Sequence, residues 1–321
     1  MPIACVVTLG PASFRLIDAL ARSGPTAFRL NTSHMTLEAV ESQIKAIRAI
    51  AAEIPIVLDL QGAKMRLEEF TARPVKPGDE VLFALDSSAP GAIPAPYPEL
   101  FEQLKPGDTL RLDDDKLRFT VTRTERESAL ARAERPGALQ PRKGINVVEH
   151  PIALEDLSER ARKAIELAVR YPAVRCAVSF VTDGREAEWV RTRLPGRPVT
   201  GKVERVEAAA AIHQLAASFD ELWICRGDLG AQLGSPAMAR FVGRLDPVAL
   251  GTPVLMAGQT LEHLTAHPEP TRSEVCHLFD LIARGYSGIV LSDETAIGRD
   301  PEGAVRTAVG LLREFEADSK G

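Results

Sequence analysis

A lysine and two carboxylates stand at spacings that could hold a metal-bound anion. They are Lys202 and Glu204 in Gly201-Lys202-Val203-Glu204, and Asp228 in Trp223-Ile224-Cys225-Arg226-Gly227-Asp228-Leu229-Gly230. Each run closes an apolar stretch that reads as a strand, at 198–204 and 222–225. Lys202 and Glu204 are two apart, so on a strand they share a face. Neighbouring strands lie ~4.8 Å apart, close enough for Glu204 and Asp228 to converge on one divalent ion. With a Gly-rich turn opening toward backbone N–H groups, this set suits a metal-bound, phosphorylated anion.

Positioning those groups takes a strand, a helix and a second strand. Residues 206–217, Ala-rich and apolar at helical spacing, supply the helix, and the connection makes the two strands parallel neighbours. The same rhythm runs along the chain. Strands are expected at 3–9, 27–31, 55–60, 175–181, 253–257 and 287–291 besides the two already named. Helices are expected near 14–23, 37–52, 155–170, 185–193 and 301–316, with Ser13 placed to cap the first. Eight such strands specify an α/β fold, a (β/α)8 TIM barrel whose chemistry gathers at the C-terminal strand ends. The polar clusters stand there: Arg29 and Asn31 with Ser33 and His34, then 59–66, 258–262 and 292–296.

Between 67 and 142 the helical period disappears. Lys76-Pro77-Gly78-Asp79 and Lys105-Pro106-Gly107-Asp108 are two copies of one turn signal, each before a β-rich run. A small β-barrel lid domain inserted after strand three is expected here, with 1–66 and 143–321 forming the catalytic barrel. Without the insert, the length comes close to the ~250 residues of one barrel.

The chain has 321 residues and a formal net charge of −5 that is not clustered, which makes nucleic acid an unsuitable partner. No run approaches the ~18 apolar residues that span a membrane. The N-terminus enters a strand directly, so no secretory signal is expected. Cys5, Cys176, Cys225 and Cys276 are scattered, which argues against disulfides and zinc. These features fit a reduced, cytoplasmic protein. His263 and His267 are i, i+4, a metal-ligand spacing, but no third ligand accompanies them. The run Asp113-Asp114-Asp115 suits either a cation or a turn in the lid.

Taken together, several stretches resemble the pyruvate kinase family. They are Thr8 to Ser13, Arg29 to His34, Asp113-Asp114, Lys143 to Asn146, Lys202 to Glu207, Arg226 to Gly230, Pro270 to Val275 and Leu291 to Ala296. The resemblance implies a barrel with a mobile β lid, and phosphoryl transfer between phosphoenolpyruvate and ADP giving pyruvate and ATP. It implies Glu204 and Asp228 as ligands of Mg²⁺ or Mn²⁺, and Lys202 as the group stabilising charge on the phosphoryl group and the enolate. Arg29 and Arg66 would clamp phosphate oxygens. Gly227, Asp228 and Ser292 would bind the substrate with Arg29, and Asn31, His34, Arg66 and Lys143 the nucleotide. Self-association through the barrel is compatible with this reading.

Departures from the family pattern carry their own expectations. The chain has Leu58-Asp59-Leu60-Gln61-Gly62-Ala63-Lys64-Met65-Arg66 where the family usually has Leu-Asp-Thr-Lys-Gly-Pro-Glu-Ile-Arg. Lys64 resembles the potassium-independent members, its ammonium standing in for the monovalent cation beside Asn31, Ser33 and Asp59. No K⁺ requirement is therefore expected. Gly258 stands where the family has a threonine hydroxyl implicated in protonating the enolate, and Thr260 could replace it only in a rearranged turn. Asp293 replaces a glycine. The family's C-terminal regulatory domain is expected to be absent. Two rival readings remain: a metal-dependent lyase or decarboxylase acting through a pyruvate enolate, motivated by Gly258, and a catalytically silent metabolite-binding protein.

Overall fold

Alternate residues of the apolar runs face opposite ways, and this parity builds two cores around one sheet. The computed structural model describes residues 3–33, 35–62, 65–113, 116–150, 152, 154 and 156–318. Among them, eight strands close into a parallel barrel: β1 (Ala4–Leu9), β2 (Ala27–Asn31), β3 (Ile56–Leu60), β4 (Val174–Val178), β5 (Val199–Val203), β6 (Glu221–Cys225), β7 (Val254–Ala257) and β8 (Gly288–Leu291). Each strand pairs with its neighbour in sequence, and β8 closes on β1 through Ala4↔Gly288 to Val7↔Leu291.

One parity points outward. Val7, Leu30, Leu58, Val178, Val203, Ile224, Met256 and Leu291 pack under the helices. The other points inward, where Val6, Val57, Ala177, Trp223, Leu255 and Val290 fill the barrel's waist. At its N-terminal end, Glu221 accepts hydrogen bonds from Trp223 Nε1 at 2.7 Å and Thr200 Oγ1 at 3.1 Å, so the buried carboxylate is satisfied. Polar inward residues are concentrated at the opposite end.

The helices are α1 (Ile17–Arg22), α2 (Leu37–Ile50), α3 (Glu159–Val169), α4 (Arg185–Arg193), α5 (Val206–Ala210), α6 (Ile212–Ser218), α7 (Arg226–Leu233), α8 (Ser235–Arg244), α9 (Arg272–Ala283), α10 (Asp293–Ala296) and α11 (Pro301–Asp318). The single helix expected over 206–217 is broken at Ala211 into α5 and α6. Ser13 does not cap α1, which starts at Ile17. Its hydroxyl accepts the Gly10 N–H at 3.0 Å, closing a local turn that holds the chain off the helix for three residues.

Contacts divide the chain into 1–62 with 157–321, and 63–156. The second unit reaches further on both sides than the span 67–142, because Ile145–Val147 pairs antiparallel with Thr109–Leu112. It holds a six-stranded sheet in the order Ile145–Val147, Thr109–Leu112, Leu117–Glu125, Ser128–Ala133, Glu80–Ala84, Ile93–Pro94. A two-stranded ladder joins Arg73–Val75 to Gly137–Leu139. Its own core includes Phe83 and Phe119, packed edge to face with ring centroids 5.4 Å apart. No helix among the described residues is long and apolar enough to cross a membrane.

Candidate active site

Apart from the Arg175–Glu221 pair at the N-terminal end, the inward parity carries its charge near the C-terminal strand ends, and there the charges meet. Lys202 on β5 is buried, and its Nζ donates to Asp59 Oδ2 at 2.9 Å and to Ser179 Oγ at 2.9 Å. The same Nζ lies 3.0 Å from Glu204 Oε1. Ser179 donates to Asp59 Oδ1 at 2.9 Å, closing a triangle of lysine, aspartate and serine. Arg29 on β2 donates through Nε to Asp59 Oδ2 at 2.9 Å, and through a terminal nitrogen to Thr8 Oγ1 at 2.9 Å. Asp59 on β3 is therefore the counter-charge for two cations delivered by different strands. Breaking such a buried pair from one side typically costs ~3–5 kcal/mol.

The titrations follow from this packing. Burial alone would raise the Asp59 carboxyl, but the Lys202 and Arg29 charges and their hydrogen bonds hold it down at about 2. Burial alone would lower the Lys202 ammonium, yet Asp59 and Glu204 push it above the ordinary lysine range. Lys202 therefore stays charged. Glu204 moves up: burial raises it, Lys202 opposes, and the charges of Asp228 and Asp59 add to the rise. Its Oε2 accepts the Phe180 N–H at 2.8 Å, and Phe180 holds a left-handed φ of 56° to present it.

Asp228 sits half-buried in the first turn of α7, which begins at Arg226 directly after β6. The N-cap residue Cys225 makes no side-chain capping bond, and the positive end of the helix dipole falls at Gly227 and Asp228. Two hard oxygen donors, one of them raised by its carboxylate neighbours, fit a divalent cation. No cluster of three or more His, Cys, Asp or Glu among the described residues could hold a metal alone. Water and substrate oxygens would have to complete the shell, as is usual for Mg²⁺.

Other expected residues fall as follows. Asn31 pairs in register with Asp59 and accepts the Ser33 N–H at 3.1 Å, so both lie at the end of β2. Ser292 follows β8, its N–H donating to Glu294 Oε2 at 2.7 Å. Asp293 is exposed, so its extra charge faces water. Arg66 and Lys143 belong to the second unit, where Arg66 donates to the Arg142 carbonyl at 3.1 Å and Lys143 pairs with Asp113 at 3.0 Å. His34 and Lys64 lie outside the described residues, as do Asp114 and Asp115.

Gly258 adopts a left-handed φ of 79°, and a Cβ there would lie 3.6 Å from the Gly227 nitrogen. Thr260 does not supply the missing hydroxyl. It is fully buried, and its Oγ1 has no hydrogen-bond partner among the described residues. His263 lies in the short 3-10 turn Glu262–Thr265 and His267 just beyond it, and the two rings stack at 3.9 Å rather than sharing one α-helix. His263 Nδ1 meets the Glu269 carbonyl at 2.8 Å.

The sequence assigned no role to Ser179 or Phe180, and named Thr8 only as the start of one stretch that carries the resemblance. Ser179 was within reach, because it shares the inward parity of Ala177 at a strand end. The pairing of Thr8 with Arg29 follows from the β1–β2 register, which a sequence does not print.

A family model for the barrel domain of pyruvate kinase matches residues 2–305. The chain belongs to the pyruvate kinase family. It is 32% identical to the pyruvate kinase of Methylorubrum extorquens over 98% of this chain and 68% of the relative. Against the pyruvate kinase of Corynebacterium glutamicum it is 30% identical over 98% of this chain and 70% of the relative. Pyruvate kinase 1 of Trypanosoma brucei brucei is 29% identical over 97% of this chain and 66% of that protein. The protein is thus a phosphotransferase of pyruvate-kinase-like function, and the family is metal-dependent.

Proposed function

We propose that this protein transfers a phosphoryl group between phosphoenolpyruvate and ADP at the C-terminal rim of its barrel, with Mg²⁺ as the cation and without K⁺. The observation carrying this reading is the buried Lys202 ammonium, fixed by Asp59 and Ser179 beside Glu204. Glu204 and Asp228 would hold Mg²⁺. When bound, the ion neutralises charge on the substrate's phosphoryl and enolate oxygens.

The chain's own residues do the rest. Lys202 has three donors, and releasing Glu204 leaves one for a phosphoryl or enolate oxygen while Asp59 and Ser179 keep the ammonium in place. Arg29 uses three of its five donors on Asp59 and Thr8, leaving two for a phosphate oxygen. The positive end of α7, at Gly227 and Asp228, suits the substrate carboxylate. With no hydroxyl at Gly258, the enolate takes its proton from water. The nucleotide assignments of Asn31, His34, Arg66 and Lys143 rest on the family resemblance, as does the assignment of Ser292 to substrate.

Independence of K⁺ is supported by Lys64 in the sequence and by Asp59, whose charge two cations already meet. A monovalent cation would find little negative charge left there.

ATP formation from phosphoenolpyruvate, ADP and Mg²⁺, in tetramethylammonium buffer, tests the proposal. The parent is expected to be active and unaffected by added KCl beyond ionic strength, and Lys202→Ala to lose about 10²–10³-fold in kcat. No ATP from the parent, or pyruvate released from oxaloacetate instead, would sink the assignment. A strict K⁺ requirement would sink that part alone.

A further inference from the structure

Arg226 begins α7, but its side chain turns away from the helix. Its Nε and a terminal nitrogen donate to the Gly258 carbonyl at 2.9 and 2.8 Å, and the latter also reaches the Gln259 carbonyl at 2.5 Å. The other terminal nitrogen meets His277 Nε2 on α9 at 2.8 Å. Gly258 and Gln259 both hold left-handed backbone, with φ of 79° and 54°, immediately after β7. For Gln259 that conformation is strained and persists only where surrounding contacts enforce it. The guanidinium fork supplies that enforcement.

The turn it holds lies directly over the first turn of α7, since a Cβ at Gly258 would approach the Gly227 and Arg226 nitrogens at 3.6 and 3.8 Å. The Gly227 N–H is one of the groups to which the substrate carboxylate was assigned above, and Arg226 precedes it in the same turn. We propose that Arg226 and His277 are a positioning pair: the guanidinium ties the Gly258–Gln259 turn to the α7 terminus, and His277 orients the guanidinium by accepting one of its N–H groups. The proposal rests on the assignment of that terminus to substrate.

Only neutral imidazole can accept at Nε2, because the protonated ring has donors alone. Burial disfavours the charged ring, and so do Arg226 and then Arg284, with Asp280 on the same helix as the opposing influence. Around the guanidinium lie Glu294, Tyr286, Glu262 and Glu274. α8 borders the groove beside the pair with Met238, Ala239, Val242 and Gly243, none of them charged. At neutral pH the ring is therefore an acceptor, and the bond is lost as pH falls below the usual histidine range.

Variants of His277 separate positioning from packing. His277→Leu removes the acceptor and should raise KM for phosphoenolpyruvate about tenfold with little change in kcat. His277→Gln keeps an acceptor that does not titrate and should restore the KM. The ratio of parent KM to H277Q KM should rise as pH falls, since the substrate's own titration cancels between the two. Amide exchange across 257–261, which needs no activity, should quicken in H277L and recover in H277Q. Exchange and KM in H277L equal to the parent's would overturn the proposal, as would equal defects in H277L and H277Q. If the parent forms no ATP, the assigned activity fails while the exchange data still decide the pair.

Discussion

Asp59 is the residue on which two buried cations depend. Its folded pKa of about 2 lies below the ordinary value of 3.8, so the folded state binds its proton less readily than the unfolded chain does. The sign follows: the stabilisation is present above the ordinary value and lost as pH falls toward about 2. Its size is on the order of 2–3 kcal/mol. Asp59→Asn leaves Lys202 and Arg29 without their shared counter-charge and should destabilise the barrel by ~3–5 kcal/mol. Urea melts at pH 7 and pH 3 would check this, with the gap between parent and D59N narrowing at the lower pH. Equal gaps at both values would contradict the electrostatic account. The sequence showed Asp59 as a strand-end carboxylate but did not show its partners. Arg29 and Lys202 lie 30 and 143 residues away along the chain, and only the closing of the barrel brings them to one oxygen. Lys202 and Glu204 were legible as a pair because a two-residue spacing on one strand fixes their common face without long-range information.

Strand ends, more than whole strands, decide the site's geometry. All eight barrel strands were readable from apolar runs, since alternation with helices leaves few topologies open. Their limits shifted by a residue or two, and up to three at the end of β4. α7, expected as a Gly-rich turn, and α8, α9 and α10 went unread, although Thr271 and Glu274 form a capping box that announces α9. What no local pattern reveals is how closely two strand ends approach. Gly62, two residues beyond β3, has a φ of 61°, and a Cβ there would fall 1.7 Å from the Ser179 carbonyl oxygen just past β4. Gly62→Ala therefore meets both backbone strain and a backbone clash that no rotamer relieves. The expected cost is ~1–3 kcal/mol. Because Ser179 is a partner of Lys202, displacing it should also lower kcat. Thermal melts and steady-state kinetics on G62A test the link, and a parent-like Tm and kcat would refute it.

At the scale of the molecule, the chain builds two units from two sequence rhythms. The insert was legible through its repeated turn, and both copies fold alike. Gly78 and Gly107 take φ of 93° and 97°, and Asp79 and Asp108 each accept the N–H of the lysine three residues earlier, at 2.8 and 2.7 Å. Its edges were not legible, because strand 145–147 pairs with a segment more than thirty residues earlier, a contact absent from local composition. A β unit of this size has a stability of only ~5–10 kcal/mol, so one large core side chain is a substantial share of it. Phe119 is fully buried against Phe83, and Phe119→Ala should cost ~3–5 kcal/mol. If 63–156 unfolds as its own cooperative unit, amide exchange in F119A should accelerate across 80–84, 117–125 and 128–133 while β1 to β8 keep the protection of the parent. Acceleration of equal size in the barrel strands would show that the two units unfold as one.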